Sequence, residues 1–291
     1  MTMHENELPT DDALVRRLLA AQFPDWAGLP VEPVRSSGTV NALYRLGDDM
    51  VVRLPRMDWG AGAIEKDFAW LSRLAPLLPV PIPVPFARGA PAEGMPWEWG
   101  IYPWLEGEHP DGDADARSLA AFVGALHGIG ATDGPRARRG LSLGEVQDAS
   151  AREALRELDG TIDVAAATAA WDSALEAPRW DGPPVWIHGD LLPANLLVRD
   201  GRLAAVIDWG SVGVGDPAVD MIAAWGALSA ESRDAFRAEL GVDDATWARG
   251  RGWALSIALI ALPYYVDTNP VFAETARVLI REVLADHATE G

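Results

Sequence analysis

The sequence predicts an α+β fold in two lobes, a small N-terminal lobe with an antiparallel sheet and a larger, mostly helical C-terminal lobe. Three observations carry this. Between residues 31 and 54 the apolar residues fall in short strand-like runs separated by turn residues. After an apolar strand at 100–104, GIYPW, the chain enters EGEHPDGDADARS, rich in Gly, Pro and Asp. Beyond that stretch helical spacing dominates. The hinge is therefore expected at about 100–106, between lobes 1–103 and 104–291.

The elements follow in order. Residues 11–23 read as a helix with acids in its first turn and a stripe of Leu14, Leu18 and Leu19, ended by Pro24. Residues 31–35, 41–46 and 50–54 read as strands, the last two joined through Gly47-Asp48-Asp49. Helical spacing returns over 61–74 with Ile64, Phe68 and Leu71. The alternating prolines of LAPLLPVPIPVP then impose an extended course. In the second lobe Leu119, Phe122, Val123 and Leu126 mark a helix, and 149–158 and 164–176 are Ala-rich helix formers. Residues 185–187, 196–198 and 203–207 read as strands, with a turn at Asp200-Gly201. Helices are expected over 220–228, 231–240, 253–265 and 271–287.

Composition bounds the function. The chain has 291 residues, 49% of them hydrophobic, enough for a sizeable core. It has no cysteine, which removes disulfides, thiolate metal sites and a cysteine nucleophile, and points to a reducing cytoplasm. The polar, acidic start MTMHENELPTDD lacks the basic and apolar parts of a secretory signal. No run approaches the roughly 18 apolar residues of a membrane span, so no membrane is expected. With 43 acids against 24 bases the formal charge is −19, which argues against nucleic acid as a partner and favours a cationic small molecule.

The chemistry concentrates in WIHGDLLPANLLVRDGRLAAVIDWG, residues 186–210. Asp190 and Asp208 end strand-like runs and Asn195 lies between them. Two carboxylates and an amide oxygen at strand ends suit a hard cation such as Mg²⁺, which keeps positions for water and phosphate oxygens.

This stretch resembles the catalytic core of the aminoglycoside phosphotransferases and their relatives, which share the bilobal fold of protein kinases. His188-Gly189-Asp190 through Asn195 matches the family's H-G-D-x-x-x-x-N, and Ile207-Asp208-Trp209-Gly210 matches its I-D-x-G segment. The resemblance implies that Asp190 accepts or orients the proton of the acceptor hydroxyl, that Asn195 and Asp208 are metal ligands, and that His188 braces the loop. Gly215-Asp216-Pro217 through Asp220 resembles the segment that follows, with Asp220 bonding back to the catalytic loop and Asp216 capping a helix.

The same resemblance puts the nucleotide, ATP or GTP, in the first lobe. Ser37, Gly38 and Thr39 would offer backbone N–H groups to its phosphates, and Tyr102 would recognise the purine by backbone groups at the hinge. Where the family has a lysine, MVVRLPR places Arg53, with Glu65 as its expected partner. The alternative is an Arg53 that serves only a surface ion pair, with Lys66 or another residue at the nucleotide. For the acceptor pocket, Tyr264, Tyr265 and Asp267 are candidates because they end an apolar helix before Pro270. Glu106, Glu108, Asp111, Asp113 and Asp115 are further acids available to a cation.

The expectation is a Mg²⁺-dependent phosphotransferase that moves the γ-phosphoryl of ATP or GTP to a hydroxyl of an aminoglycoside-type antibiotic, giving resistance by modification. A macrolide or other natural-product kinase and a metabolic small-molecule kinase share every motif used. A nucleotide-binding pseudokinase and a metal-dependent hydrolase are the rivals from other classes.

Overall fold

The computed structural model describes residues 7–36, 38, 40–110 and 114–290. Helix α1 (Asp12–Gln22) starts where Asp11 accepts from Leu14 N at 2.7 Å, and it stops before Pro24. Strands β1 (Val31–Pro33), β2 (Asn41–Leu46) and β3 (Met50–Pro55) form an antiparallel meander. Helix α2 (Gly62–Leu74) follows, then β4 (Ala87–Gly89) and β5 (Trp99–Pro103), giving a five-stranded sheet in the order β1-β2-β3-β5-β4. Tyr44, Leu46, Val52, Leu54 and Ile101 join Leu14, Val15, Leu18 and Leu19 of α1 in one buried cluster. Period-2 alternation therefore turns Arg53 to the other face, toward α2. The proline run between α2 and β4 makes one 3-10 turn, Ala75–Leu77, and then runs without regular structure.

The second part of the chain holds α3 (Ala116–His127), α4 (Leu143–Glu157) and α5 (Val164–Glu176). Strands β6 (Val185–Ile187), β7 (Leu196–Arg199), β8 (Arg202–Val206) and β9 (Gly213–Gly215) form two small ribbons, β6 with β9 and β7 with β8. Asp200 and Gly201, at φ 52 and 74, make the left-handed turn that a two-residue hairpin requires. Helices α6 (Ala223–Gly226), α7 (Ala230–Leu240), α8 (Asp244–Tyr265) and α9 (Pro270–Glu290) complete it. α8 is buried on nearly all sides, with Trp253, Leu255, Ala258 and Leu259 inside.

Several boundaries depart from the sequence expectation. α4 begins at Leu143 and not at 149, and α8 at Asp244 and not at 253, because Asp243 caps it by accepting from Thr246 N at 2.6 Å. The helix expected over 220–228 is a 3-10 stretch, Pro217–Ile222, followed by the short α6. β4 and β9 were not expected: three residues are too few to carry a period.

The larger hydrophobic core runs through the helical part and also takes in Leu71 and Leu74 of α2. Trp70 of α2 meets Trp186 of β6 with ring centroids 5.0 Å apart. α2 therefore borders the small sheet with one end and anchors in the large core with the other. Among the described residues no helix is long and apolar enough to cross a membrane.

Candidate active site

The loop between β6 and β7 carries His188, Gly189 and Asp190. Gly189 has φ +78, and a Cβ there would lie 3.2 Å from both Cβ and the carbonyl oxygen of Ser211. Asp220, fully buried, accepts from Gly189 N (2.7 Å) and His188 N (3.0 Å), as the resemblance implied. Nδ1 of His188 accepts from Asp190 N at 3.2 Å, so Nε2 carries the proton and donates to Ile207 O at 3.1 Å. Burial pushes this imidazole's pKa down against the opposing pull of Asp220 and Asp190, leaving it neutral. With both ring nitrogens spent on backbone, His188 is a brace between the loop and the end of β8.

Asp190 is partly exposed and held at both oxygens. Arg139 donates to Oδ1 at 2.5 Å and to Gly189 O at 2.7 Å, and Nδ2 of Asn195 donates to Oδ2 at 3.0 Å. Asn195 also donates to Asp190 O at 2.8 Å, which spends its amide nitrogen and leaves Oδ1 as the oxygen available to a ligand. Asp208 sits just past β8 at φ +56, a left-handed backbone that Asp tolerates better than most residues at a cost of about 1–2 kcal/mol. That conformation turns the chain where Trp209, fully buried, plugs beneath it with Nε1 donating to Val206 O at 3.0 Å.

Arg53 is the centre of a buried network. Its Nη2 donates to Asp208 Oδ1 at 2.6 Å and its Nη1 to Asp67 Oδ2 at 3.3 Å. With the Asn41 amide turned to present its oxygen, that atom accepts from Arg53 Nη2 at 3.0 Å and Nε at 2.9 Å. Tyr102 OH donates to the same Asp67 oxygen at 2.9 Å. Burial alone would lower the arginine's pKa, but Asp208 and then Asp67 outweigh it and the net direction is upward. Asp67 is pushed up to about 6, by burial first, against the pull of Arg53 and the Tyr102 hydrogen bond. Its Oδ1 is buried without a hydrogen-bond partner.

The expected partner of Arg53 is thus corrected. Glu65 is exposed, whereas Asp67 lies on the buried face of α2 with Ile64, Leu71 and Leu74. Two residues of helix turn them about 200° apart, so the helix presents only one of the two acids to the sheet. The surface-ion-pair alternative for Arg53 fails too, because the side chain is buried. Lys66, the chain's single lysine, donates instead to Gly210 O at 2.7 Å and Val212 O at 3.4 Å, fixing the segment after Asp208. Burial lowers its pKa, with Arg53 adding to the shift against Asp67.

Two cavities meet at Arg53 and Asp208. One, of about 270 Å³, lies between the sheet and the β7–β8 ribbon, with Leu43, Val51, Tyr102, Leu105, Leu197 and Ile207 among its walls. Gly38 borders it, with its N–H bound to Ser36 Oγ at 2.9 Å; Ser37 and Thr39 lie outside the described residues. The Tyr102 side chain also serves the buried network, beyond the backbone role expected of it.

The second cavity, about 780 Å³, contains Asp190 and Asp208. Ile257, Ile260, Tyr264, Tyr265 and Phe272 form an apolar wall, so two of the three expected acceptor residues border it. Asp267 does not: it is exposed beyond the end of α8. The other acids are also elsewhere. Glu106 pairs with Arg45 at 3.6 Å, Glu108 joins the β7 edge by its backbone, Asp115 caps α3, and Asp111 and Asp113 lie outside the described residues.

The donor set fits a hard divalent cation such as Mg²⁺, since Asn195 and Asp208 both border the smaller cavity and supply only oxygen ligands. Sequence reasoning missed Asn41, Asp67 and Arg139. The distance of Arg139 from every motif hid it, and nothing in its local pattern singles it out.

The sequence profile of the APH phosphotransferase enzyme family matches residues 32–253. The uncharacterized protein YcbJ of Bacillus subtilis (strain 168) is 30% identical over 147 residues, 48% of this chain; the match spans about half, 47%, of that relative's length. Among solved structures, the GDP and kanamycin complex of APH(2")-IIia superposes with a TM-score of 0.72 at 20% identity, covering 94% of this chain and 98% of that one. Macrolide 2'-phosphotransferase MphH from Brachybacterium faecium superposes at 0.58 with 25% identity, covering 94% and 98%.

Proposed function

Because the chain belongs to the phosphotransferase enzyme family, we propose that it transfers the γ-phosphoryl of ATP or GTP to a hydroxyl of a small molecule, with residues 1–103 as the nucleotide lobe and 104–291 as the catalytic and acceptor lobe. The observation that supports this best is the pairing of a slot and a cavity that share Arg53 and Asp208, with Asp190 facing the larger space. Nucleotide complexes among the structural relatives support the same reading.

In this mechanism the purine lies in the smaller cavity near Tyr102 and the acceptor in the larger one. The acceptor oxygen forms its bond to the γ-phosphorus as the bond to the bridging oxygen breaks, the acceptor proton passes to Asp190, and the nucleoside diphosphate leaves. Arg139 and Asn195 fix both carboxylate oxygens of Asp190, which serves a reaction that depends chiefly on positioning and charge. Asn195 and Asp208 would hold Mg²⁺, which when bound neutralises phosphate charge. Arg53 steadies Asp208 and adds a fixed positive charge beside the phosphates, and Lys66 holds the following loop.

Nucleoside diphosphate release tests this, measured with ATP and with GTP, with and without hydroxyl acceptors. Acceptor-dependent turnover that falls about 10²–10⁴-fold in Asp190→Asn while nucleotide affinity is kept is the expected outcome. Nucleotide binding without turnover across the panel would instead favour the pseudokinase, and turnover indifferent to acceptor the hydrolase.

A further inference from the structure

The acceptor cavity has a charge opposite to that of the chain. Five basic side chains border it, Arg53, Lys66, Arg136, Arg138 and Arg139, against two carboxylates, Asp190 and Asp208. Both carboxylates are already paired, Asp190 with Arg139 and Asp208 with Arg53. Arg136 and Arg138 are exposed at this cavity, and among the described residues neither guanidinium has a carboxylate partner. In a chain with 43 acids and 24 bases, a cavity with this surplus of bases is a local feature that the overall balance works against.

Resting on the kinase reading above, we propose that the acceptor carries an oxyanion, a carboxylate, sulfate or phosphate, on an apolar body. The oxyanion is met by Arg136 and Arg138, the apolar body lies against the wall of Ile257, Ile260, Tyr264, Tyr265 and Phe272, and the hydroxyl reaches Asp190. Guanidinium forks match planar and tetrahedral oxyanions by paired N–H donors. A polycation such as kanamycin meets the reverse: among the described residues no unpaired acid borders the cavity, and bringing its ammonium groups beside free guanidiniums costs repulsion.

The test uses the full chain and two measurements. The first is binding of the amphipathic anion 8-anilinonaphthalene-1-sulfonate and of its neutral analogue N-phenyl-1-naphthylamine, to the wild type, to Arg136→Ala/Arg138→Ala and to Arg136→Lys/Arg138→Lys. The expected result is one saturable site whose sulfonate Kd rises at least tenfold in the alanine variant and less in the lysine variant, with the neutral analogue moved little. The second compares turnover of hydroxy acids with their methyl esters and with kanamycin, the acid being preferred at least tenfold in kcat/KM and the preference lost through acceptor KM in the alanine variant.

Sulfonate binding that ignores the arginines, a preference for ester or kanamycin, or an equal weakening of nucleotide binding in the alanine variant would overturn the oxyanion site. Arginine-dependent sulfonate binding with no transfer to any acceptor would instead leave the oxyanion site standing and sink the kinase reading.

Discussion

At the scale of single residues, Arg53 bears the most consequence. It ties β3 to β2, α2 and the segment after β8 through Asn41, Asp67 and Asp208, and removing it strands two carboxylates. Arg53→Leu should therefore cost up to about 3–5 kcal/mol in a denaturant titration and weaken nucleotide binding in calorimetry, because the buried Asp67 and the partly exposed Asp208 lose their counter-charge. Unchanged stability and affinity would mean that the network is ornamental. Asp67 gives a pH signature. A carboxyl raised from 3.8 to about 6 adds stability in full below pH 3.8 and loses it as pH rises through 6. The loss is on the order of 3 kcal/mol. The thermal midpoint of Asp67→Asn should thus gain on the wild type between pH 4 and pH 8, since the amide does not titrate; a constant difference would contradict the raised value. The position of Arg53 was legible from period-2 alternation. Asp67 was not: a helical stripe found by counting apolar residues passes over an acid set between Ile64 and Leu71 on the same face.

At the scale of elements, the β7–β8 hairpin with the segments that carry Asp190 and Asp208 was the most legible in position. Strand-like runs ending in Asp190 and Asp208 with Asn195 between them leave few other uses for those side chains. What holds them in place was less visible: Trp209 packs under Asp208, stacks edge-on against His188 at 4.8 Å and meets Phe122 at 6.1 Å. Trp209→Ala should destabilise the protein by about 3–5 kcal/mol in a chemical unfolding curve. It should also reduce turnover more than that loss explains, since the anchor of the turn at Asp208 goes with it. A change under about 1 kcal/mol would show that the cavity collapses and that the ring is not the anchor. The three-residue strands β4 and β9 and the early starts of α4 and α8 escaped the sequence reading because short elements carry no period and caps lie outside the apolar pattern.

At the scale of the whole molecule, two hydrophobic cores are bridged by side chains that cross between sheet and helical part: Arg53 to Asp208, Lys66 to Gly210, Trp70 to Trp186. The α+β class and the order of elements followed from the sequence because long apolar stripes report burial reliably. The placement of bases around the larger cavity did not: a net charge of −19 is a sum over the whole chain and carries no information about where Arg136, Arg138 and Arg139 are gathered. If they steer an anion, the acceptor's kcat/KM should fall as salt is raised, while for a cationic acceptor repelled by the loop it would rise.

Under the proposed function, phosphoryl passes from a nucleotide in the smaller cavity to an acceptor beside Asp190 in the larger one. The direct measurement is a single turnover with γ-labelled nucleoside triphosphate and a hydroxyl acceptor, followed by mass analysis of every product. In the wild type the label should move to the acceptor, and transfer should be abolished or slowed at least a hundredfold in Asp190→Asn. Label recovered only as inorganic phosphate, or transfer to the acceptor that proceeds equally without the Asp190 carboxylate, would contradict it.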